Sequence, residues 1–292
     1  MRIVSLLPGA TEIVHALGLG DDLVGVSHEC DFPAAVKALP AVTRSLISSD
    51  ASSAEIDRMV RERHDARRAL YALDAEALAA LEPDLIITQS LCDVCAVAEG
   101  EVHAAARTLP RPPDVVTLET RSLAELYAAI RLVAAKTHRA EAGAALTRSL
   151  ELRAERVRAR AAAAGSVTRM LFLEWLDPPF SCGHWNPELI EIAGACDPLG
   201  RRALPARTLT WDEVAAARPD LLFVSCRGFT MERTLVELPD VMRGTPALQE
   251  LPAVRAGRIF VADGTQYCSR PGPRSSTASR SSRTRSMPRR IL

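Results

Sequence analysis

The sequence predicts an α/β protein of two related lobes, each built around a mostly parallel sheet. Three observations carry this. Short apolar runs alternate with helical patterns, as in βαβ units. A weak motif recurs in the two halves of the chain. Between its copies lies a helix-forming stretch, residues 139–164, with no proline and only Gly143 as glycine.

The apolar runs place strands at 3–7, 23–27, 85–88 and 115–118 in the first half, and at 170–174, 221–225 and 259–262 in the second. Ile13, Val14, Ala16 and Leu17 share one face of a helix expected over 10–17. Thr11 or a neighbour suits that helix as its cap, and Glu12 suits its positive end. The stretch 139–164 is rich in Ala, Leu, Arg and Glu, all good helix formers. As one helix it would run ~39 Å, long for a crossover within one lobe and long enough for a stiff connector. The repeat pairs residues 73–84, which lead into Leu85-Ile-Ile-Thr-Gln89, with residues 209–220, which lead into Leu221-Leu-Phe-Val-Ser225. Each copy reads as a capped short helix, a Pro-Asp turn and a buried strand.

The length of 292 residues suits about two domains. With 48% hydrophobic and 25% charged residues, the balance is that of an ordinary globular protein, which excludes a mainly disordered or collagen-like chain. No apolar run reaches the ~18 residues of a membrane span. A net charge of zero argues against nucleic acid as a partner. Only Lys37 and Lys136 are lysines among 36 basic residues, a bias we attribute to GC-rich coding.

Seven cysteines are too few for a disulfide-stapled scaffold. Cys92 and Cys95 form one C-x-x-C; the others read as small buried hydrophobes of a reducing compartment. Residues 3–7 are too short for a signal-peptide core and Pro8-Gly9 ends them, so a cytoplasmic protein is expected unless the true start lies upstream, which would make it periplasmic or extracytoplasmic.

The residues after each strand point to a ligand. α/β sheets bind at the carboxyl ends of their strands. There the sequence places Pro8-Gly9-Ala10-Thr11-Glu12, then His28, then Cys92 and Cys95, then Trp175 and Phe180 with His184 and Trp185, then Phe229, and last Tyr267 and Arg270. Seven of the twelve aromatics (Phe32, Phe172, Trp175, Phe180, Trp185, Phe229, Tyr267) fall at or near these ends. That clustering suits a shallow cleft for a large, flat, partly apolar ligand. The alternative is that loop aromatics anchor loops to the lobes. His184, Cys92 and Cys95 are weak candidates for meeting a metal carried by the ligand; a protein-bound metal is not expected, since one C-x-x-C is half a zinc site. Phosphate-loop, dinucleotide, nucleophile-elbow and zinc-protease motifs are all absent. Glu12, Glu29, Asp93, Glu174 and Asp177 fit cap or cleft-lining roles better than acid–base catalysis, and no enzyme is expected.

Several segments resemble the periplasmic-binding-protein family for iron chelates and vitamin B12: Leu6-Leu7-Pro8-Gly9-Ala10-Thr11-Glu12, the strand at 83–87, Leu176-Asp177-Pro178-Pro179-Phe180 and Ser269-Arg270-Pro271-Gly272-Pro273-Arg274. His28-Glu29-Cys30-Asp31, Leu91-Cys92-Asp93-Val94-Cys95 and Gly183-His184-Trp185 resemble its cobalamin-binding subgroup. The match runs from about residue 2 to residue 274. The resemblance implies two α/β lobes joined by one long rigid helix, the helical-backbone metal-receptor type, with little hinge motion. Its boundaries here would be 1–138 and 166–270 for the lobes and 139–165 for the helix. It implies a monomer that holds cobalamin or a related corrinoid between its lobes, without a catalytic cofactor, and hands it to an ABC permease. Contacts to the corrinoid would come from Trp175, Phe180, Trp185, Tyr267, Arg270 and the Pro8–Glu12 loop. Docking on the permease would use Glu99 or Glu101 and Glu232 or Glu237. The alternatives are a ferric siderophore as ligand, or a cytoplasmic corrinoid carrier or processing protein using Cys92/Cys95.

After Arg274 the chain departs from the family, and the tail is taken as residues 271–292. They hold six arginines and no acid, the composition of a disordered basic tail. A frameshift is one reading: with suitable codons, one C placed before Ser275 turns 275–282 into Leu-Val-Asp-Gly-Leu-Glu-Ile-Leu, an amphipathic helix start. A native tail touching nucleic acid or anionic lipid is the other. Without the tail, 30 basic residues face 36 acidic ones, so the remainder is mildly acidic.

Overall fold

A computed structural model describes residues 1–90 and 97–275 and the backbone of Arg285–Ser286. The chain divides into two compact units. The first comprises Met1–Ala51, Arg58–Thr120 and Ala124–Ser149; the second comprises Ser52–Asp57, Arg121–Leu123 and Leu150–Leu292.

In chain order the first half runs β1 (Ile3–Ser5), α1 (Pro8–Ala16), β2 (Leu23–Val26), β3 (Thr43–Ser45), α2 (Ser53–Asp65), β4 (Tyr71–Leu73) and α3 (Ala75–Ala80). It continues with β5 (Leu85–Gln89), α4 (Glu99–Thr108), β6 (Asp114–Leu118), α5 (Leu123–Lys136) and α6 (Ala140–Ala163). The parallel order β2-β1-β5-β6 forms the first sheet. Ile3, Val4, Ile86 and Ile87 are fully buried in it, as expected of strands covered on both faces. β3 and β4 form a separate antiparallel pair that the sequence pattern does not reveal, because three residues are too few to show alternation.

The first helix corrects the expected start. Pro8 opens α1 at its first position, and extended Leu7 is the N-cap without a side-chain bond. Thr11 therefore lies inside the first turn rather than capping it. Gly143 sits where α5 and α6 touch: an added Cβ would lie 2.4 Å from the Ala134 Cβ. α6 has 24 residues against the 26 expected.

The second half runs β7 (Thr168–Leu176), β8 (Pro179–Ser181), β9 (Gly183–His184), α7 (Asn186–Ile192), β10 (Ala195–Cys196) and β11 (Arg201–Arg202). Then come α8 (Trp211–Ala217), β12 (Leu221–Val224), α9 (Met231–Gly244), α10 (Pro246–Gln249), α11 (Pro252–Arg255), β13 (Ile259–Val261) and β14 (Arg285–Ser286). β10, β7, β12 and β13 are parallel neighbours in that order; β8 pairs antiparallel with β7, and β14 with β13. The expected tail thus differs from a wholly unstructured one. Arg285–Ser286 forms a strand, and Ser275 is buried, its Oγ donating to the Arg270 carbonyl at 2.7 Å.

The repeat is a structural equivalence. Asp74 caps α3, accepting from the Ala77 N–H. Thr210 and Glu213 close a reciprocal capping box on α8. In the first unit the Arg2 N–H donates to Asp84 Oδ2 at 2.7 Å and the Arg2 Nε to the Leu81 carbonyl at 2.8 Å. In the second, the Arg169 N–H donates to Asp220 Oδ2 at 3.1 Å and the Arg169 Nε to the Ala217 carbonyl at 2.6 Å. Each Pro-Asp turn is thereby tied to the amino end of the neighbouring strand. The carboxyl ends are left to loops.

Candidate functional site

In the first unit the loop after β1 is held by a chain of neutral groups. The Thr11 hydroxyl donates to Ser5 Oγ at 2.8 Å and lies 3.1 Å from the Cys30 thiol, which lies 3.2 Å from Ser27 Oγ. Gly9, Ala10, Thr11 and Glu12 are buried, and Pro8 keeps part of its surface. His28 presents its edge to solvent while its ring rests against Tyr71, centroids 5.5 Å apart. Thr43 Oγ1 receives the His28 N–H at 3.1 Å and sits 2.8 Å from Nδ1, which fixes the ring. Burial lowers the His28 pKa. Burial, with Glu29 adding to it, raises that of Tyr71 strongly. Cys92 and Cys95 lie outside the described residues.

In the second unit the strand ends meet on one buried carboxylate. Glu174, near the end of β7, is 2% exposed. Its Oε1 accepts from the Gly183 N–H at 3.0 Å and from Asn186 Nδ2 at 2.7 Å. Its Oε2 accepts from Arg227 Nε at 2.7 Å. The Arg227 N–H donates to the Glu174 carbonyl at 3.1 Å, and Asn186 Nδ2 also donates to the Cys268 carbonyl at 3.1 Å. This side chain thus ties β9 and the start of α7 to the loop after β12, and Asn186 extends the tie to the loop after β13. Sequence reasoning gave Glu174 only a cap or lining role. The signal was present: it is the lone charge in Met170-Leu-Phe-Leu-Glu-Trp-Leu176, and a carboxylate on a buried strand has to find partners.

The loops also pack backbone on backbone. Gly264 exchanges hydrogen bonds with Gly228 and Phe229, and a Cβ there would lie 1.6 Å from the Cys226 carbonyl oxygen. Gly183 is also confined: a Cβ there would lie 2.4 Å from the Ala206 nitrogen.

The aromatics divide into two groups. Trp175, Trp185 and Phe229 are only 8%, 2% and 2% exposed. Trp175 packs on Phe229 at 4.8 Å and donates to the Ser53 carbonyl, while Arg233 covers the other part of the Phe229 ring. His184, also buried, stacks on Trp185. For these residues the expected open aromatic cleft gives way to loop anchoring, because the strand-end loops fold their large rings inward. Phe180, Tyr267 and Arg270 keep exposed surface. Phe180 is held beside Trp175 by the β7–β8 pairing. Phe32, in the first unit, is 42% exposed.

Asn186 and Trp185 leave two buried atoms without a partner among the described residues: Asn186 Oδ1, an acceptor, and Trp185 Nε1, a donor. Among those residues, no group of three His, Cys, Asp or Glu side chains could hold a metal ion. Of the docking candidates, Glu99 accepts from Thr117 Oγ1 and faces His103, and Glu237 accepts from the Ser53 N–H and faces Arg233. Glu101 and Glu232, in the first turns of α4 and α9, are exposed.

A family model described as "Periplasmic binding protein" matches residues 3–265. A vitamin B12-binding protein of Vibrio vulnificus is 23% identical over 276 residues, covering 94% of this chain and 85% of that protein. The crystal structure of the periplasmic vitamin B12 binding protein BtuF of Vibrio cholerae superposes with a TM-score of 0.67 at 23% identity, over 95% of this chain and 93% of that one. The periplasmic haem-binding protein BhuT in complex with two haems gives 0.71 at 24% identity, over 95% and 94%. These findings overturn the cytoplasmic expectation: the matched family and relatives are periplasmic, which short residues 3–7 do not reveal. They also describe solute binding rather than enzymic turnover.

Proposed function

The chain belongs to the periplasmic binding protein family, and from that premise we propose that its ligand is a corrinoid, delivered unchanged to an ABC importer. The observation that carries the ligand is the likeness to a vitamin B12-binding protein across 94% of this chain. Haem is the second reading, supported by the BhuT likeness. A corrinoid-processing role for Cys92/Cys95 has no comparable support, and the ferric siderophore stands as a further test ligand.

The groups we assign to the ligand are those that keep surface: Phe180, Tyr267 and Arg270 in the second unit, Pro8 and His28 in the first. Aromatic faces give large contact area at little entropic cost, and arginine binds amide or carboxylate oxygen. Within the second unit, Trp175 pairs with Phe180 across β7–β8 and packs on Phe229. For the permease we assign Glu101 and Glu232, whose carboxylates are exposed.

Titration with cyanocobalamin, haemin and a ferric siderophore, followed by tryptophan fluorescence, tests the ligand. Cobalamin is expected to quench Trp175 and Trp185 and to bind most tightly. A response to haemin or siderophore alone would overturn the corrinoid reading. Reversing charge at Glu101 and Glu232 should leave that titration unchanged while lowering transport by the reconstituted importer.

A further inference from the structure

The proposed ligand groups of the second unit, Phe180, Tyr267 and Arg270, and the buried rings of the same loops share one feature. Trp175 adjoins Glu174 and pairs in β7–β8 with Phe180. His184 adjoins Gly183, Trp185 adjoins Asn186, and Phe229 lies two residues beyond Arg227. Tyr267 precedes Cys268, and Arg270 follows it by two. Gly183, Asn186 and Arg227 bond Glu174 directly, and Cys268 is tied to it through Asn186. We propose that Glu174 is the positioning residue of this ligand face, with Asn186 relaying its hold to the last loop and Arg227 to the loop after β12. The proposal deepens the ligand reading above and rests on it for which groups count as ligand contacts.

Three physical points support it. The carboxylate is buried, so its bonds are not in exchange with water and a lost one leaves an unmet charge. Both oxygens are used, so rotation cannot free one loop without loosening another. The loops lack regular secondary structure of their own around Arg227 and Cys268, so their placement depends on such ties.

Glu174→Gln is the direct test. A glutamine amide keeps the shape but has one acceptor oxygen. Either its nitrogen opposes Arg227 Nε, donor against donor, or it opposes the Gly183 N–H and Asn186 Nδ2. Hydrogen exchange by mass spectrometry reads the ties without ligand. The variant should exchange faster at 183–186, 226–229 and 267–270 while Leu221–Val224 and Ile259–Val261 stay protected. Cyanocobalamin affinity should fall on the order of tenfold, the scale seen when groups that orient ligating residues are removed. Leu222→Ala, a core truncation in β12, should lower the melting temperature and leave affinity unchanged. Asn186→Ala is the milder variant: it should loosen 183–186 and 267–270 but not 226–229.

Exchange that rises evenly across the unit, or loops that stay protected in both variants, would overturn the proposal. So would an affinity within twofold of the parent in a variant with loosened loops. If the parent binds no cobalamin, the corrinoid reading fails, while the exchange pattern still decides whether Glu174 holds these loops.

Discussion

The two units tie down their strand-end loops with opposite chemistry. In the first, Ser5, Thr11, Cys30 and Ser27 form a chain of neutral hydroxyl and thiol groups. In the second, a buried carboxylate holds an arginine, an asparagine and a backbone N–H. Each neutral bond is worth about 1 kcal/mol net, and leaving one partner buried and unmet costs about 1–3 kcal/mol. Leaving a buried carboxylate without its partner costs about 3–5 kcal/mol. The first face is therefore tolerant and the second brittle, and a brittle face is one whose loops have a single favoured arrangement.

The contrast extends to packing and gives the largest expected effect. A methyl added at Gly264 meets the Cys226 carbonyl oxygen at 1.6 Å and its carbon at 2.5 Å, both backbone. In the first unit, one added at Gly25 meets the tip of the Leu81 side chain at 2.5 Å. Leucine can change rotamer; a carbonyl on a core strand end cannot move without its strand. Gly264→Ala should therefore destabilise by about 3 kcal/mol or more, and Gly25→Ala by about 1 kcal/mol. Urea unfolding of both variants is the measurement, and equal losses would remove the contrast in packing.

Alkaline pH gives the next effect, and up to pH 10 it is carried by buried thiols of the second unit. Burial pushes the Cys226 and Cys268 thiols up to about 12 from 9.0, with Glu237 and Glu174 adding to it, and raises Cys182 further. For an acid whose folded pKa is raised, the unfolded chain loses its proton first. Stability is then intact below pH 9 and falls as pH climbs from 9 toward 12, by about 1.4 kcal/mol per thiol for each pH unit. Unfolding of the reduced protein at pH 8, 9 and 10 should show this slope. Cys226→Ala should reduce it by about one proton's worth. A slope unchanged in that variant would show that the thiol does not carry it.

The sequence foretold the parallel strands well because both sheets are covered on each face, which makes their runs continuously apolar. The repeat was legible for the same reason: Asp74 and Thr210 cap helices and Asp84 and Asp220 anchor turns by local chemistry alone. The site was legible only in outline. Within the second unit the strand-end loops do meet, around Glu174, but whether a ring faces water depends on contacts far apart in sequence. Trp175 donates to the Ser53 carbonyl, 122 residues away, and no pattern around either residue announces it. Glu174 shows the converse. Its oddness in an apolar strand was visible, but its partners, 9, 12 and 53 residues on, were not.

The smallest effect belongs to the tolerant face, and it runs the other way in pH. Burial against Tyr71 lowers the His28 pKa from 6.5, so the folded state prefers the neutral ring. The unfolded chain takes up its proton first as pH drops. Stability from this residue is therefore present above pH 6.5 and is lost as pH falls from there through the folded value. The ring edge is exposed, so solvent screens the charge and the loss is modest. Thr43 Oγ1, at hydrogen-bonding distance from both Nδ1 and the backbone N–H of His28, can donate to the neutral ring, and it loses that acceptor when the ring is protonated. His28→Gln keeps a polar group near Thr43 but cannot titrate. It should flatten the stability profile below pH 6.5 and leave the alkaline slope as it was. Chemical unfolding across both ranges decides it: an acid limb that survives in His28→Gln would show that another group, and not this face, sets the acid sensitivity.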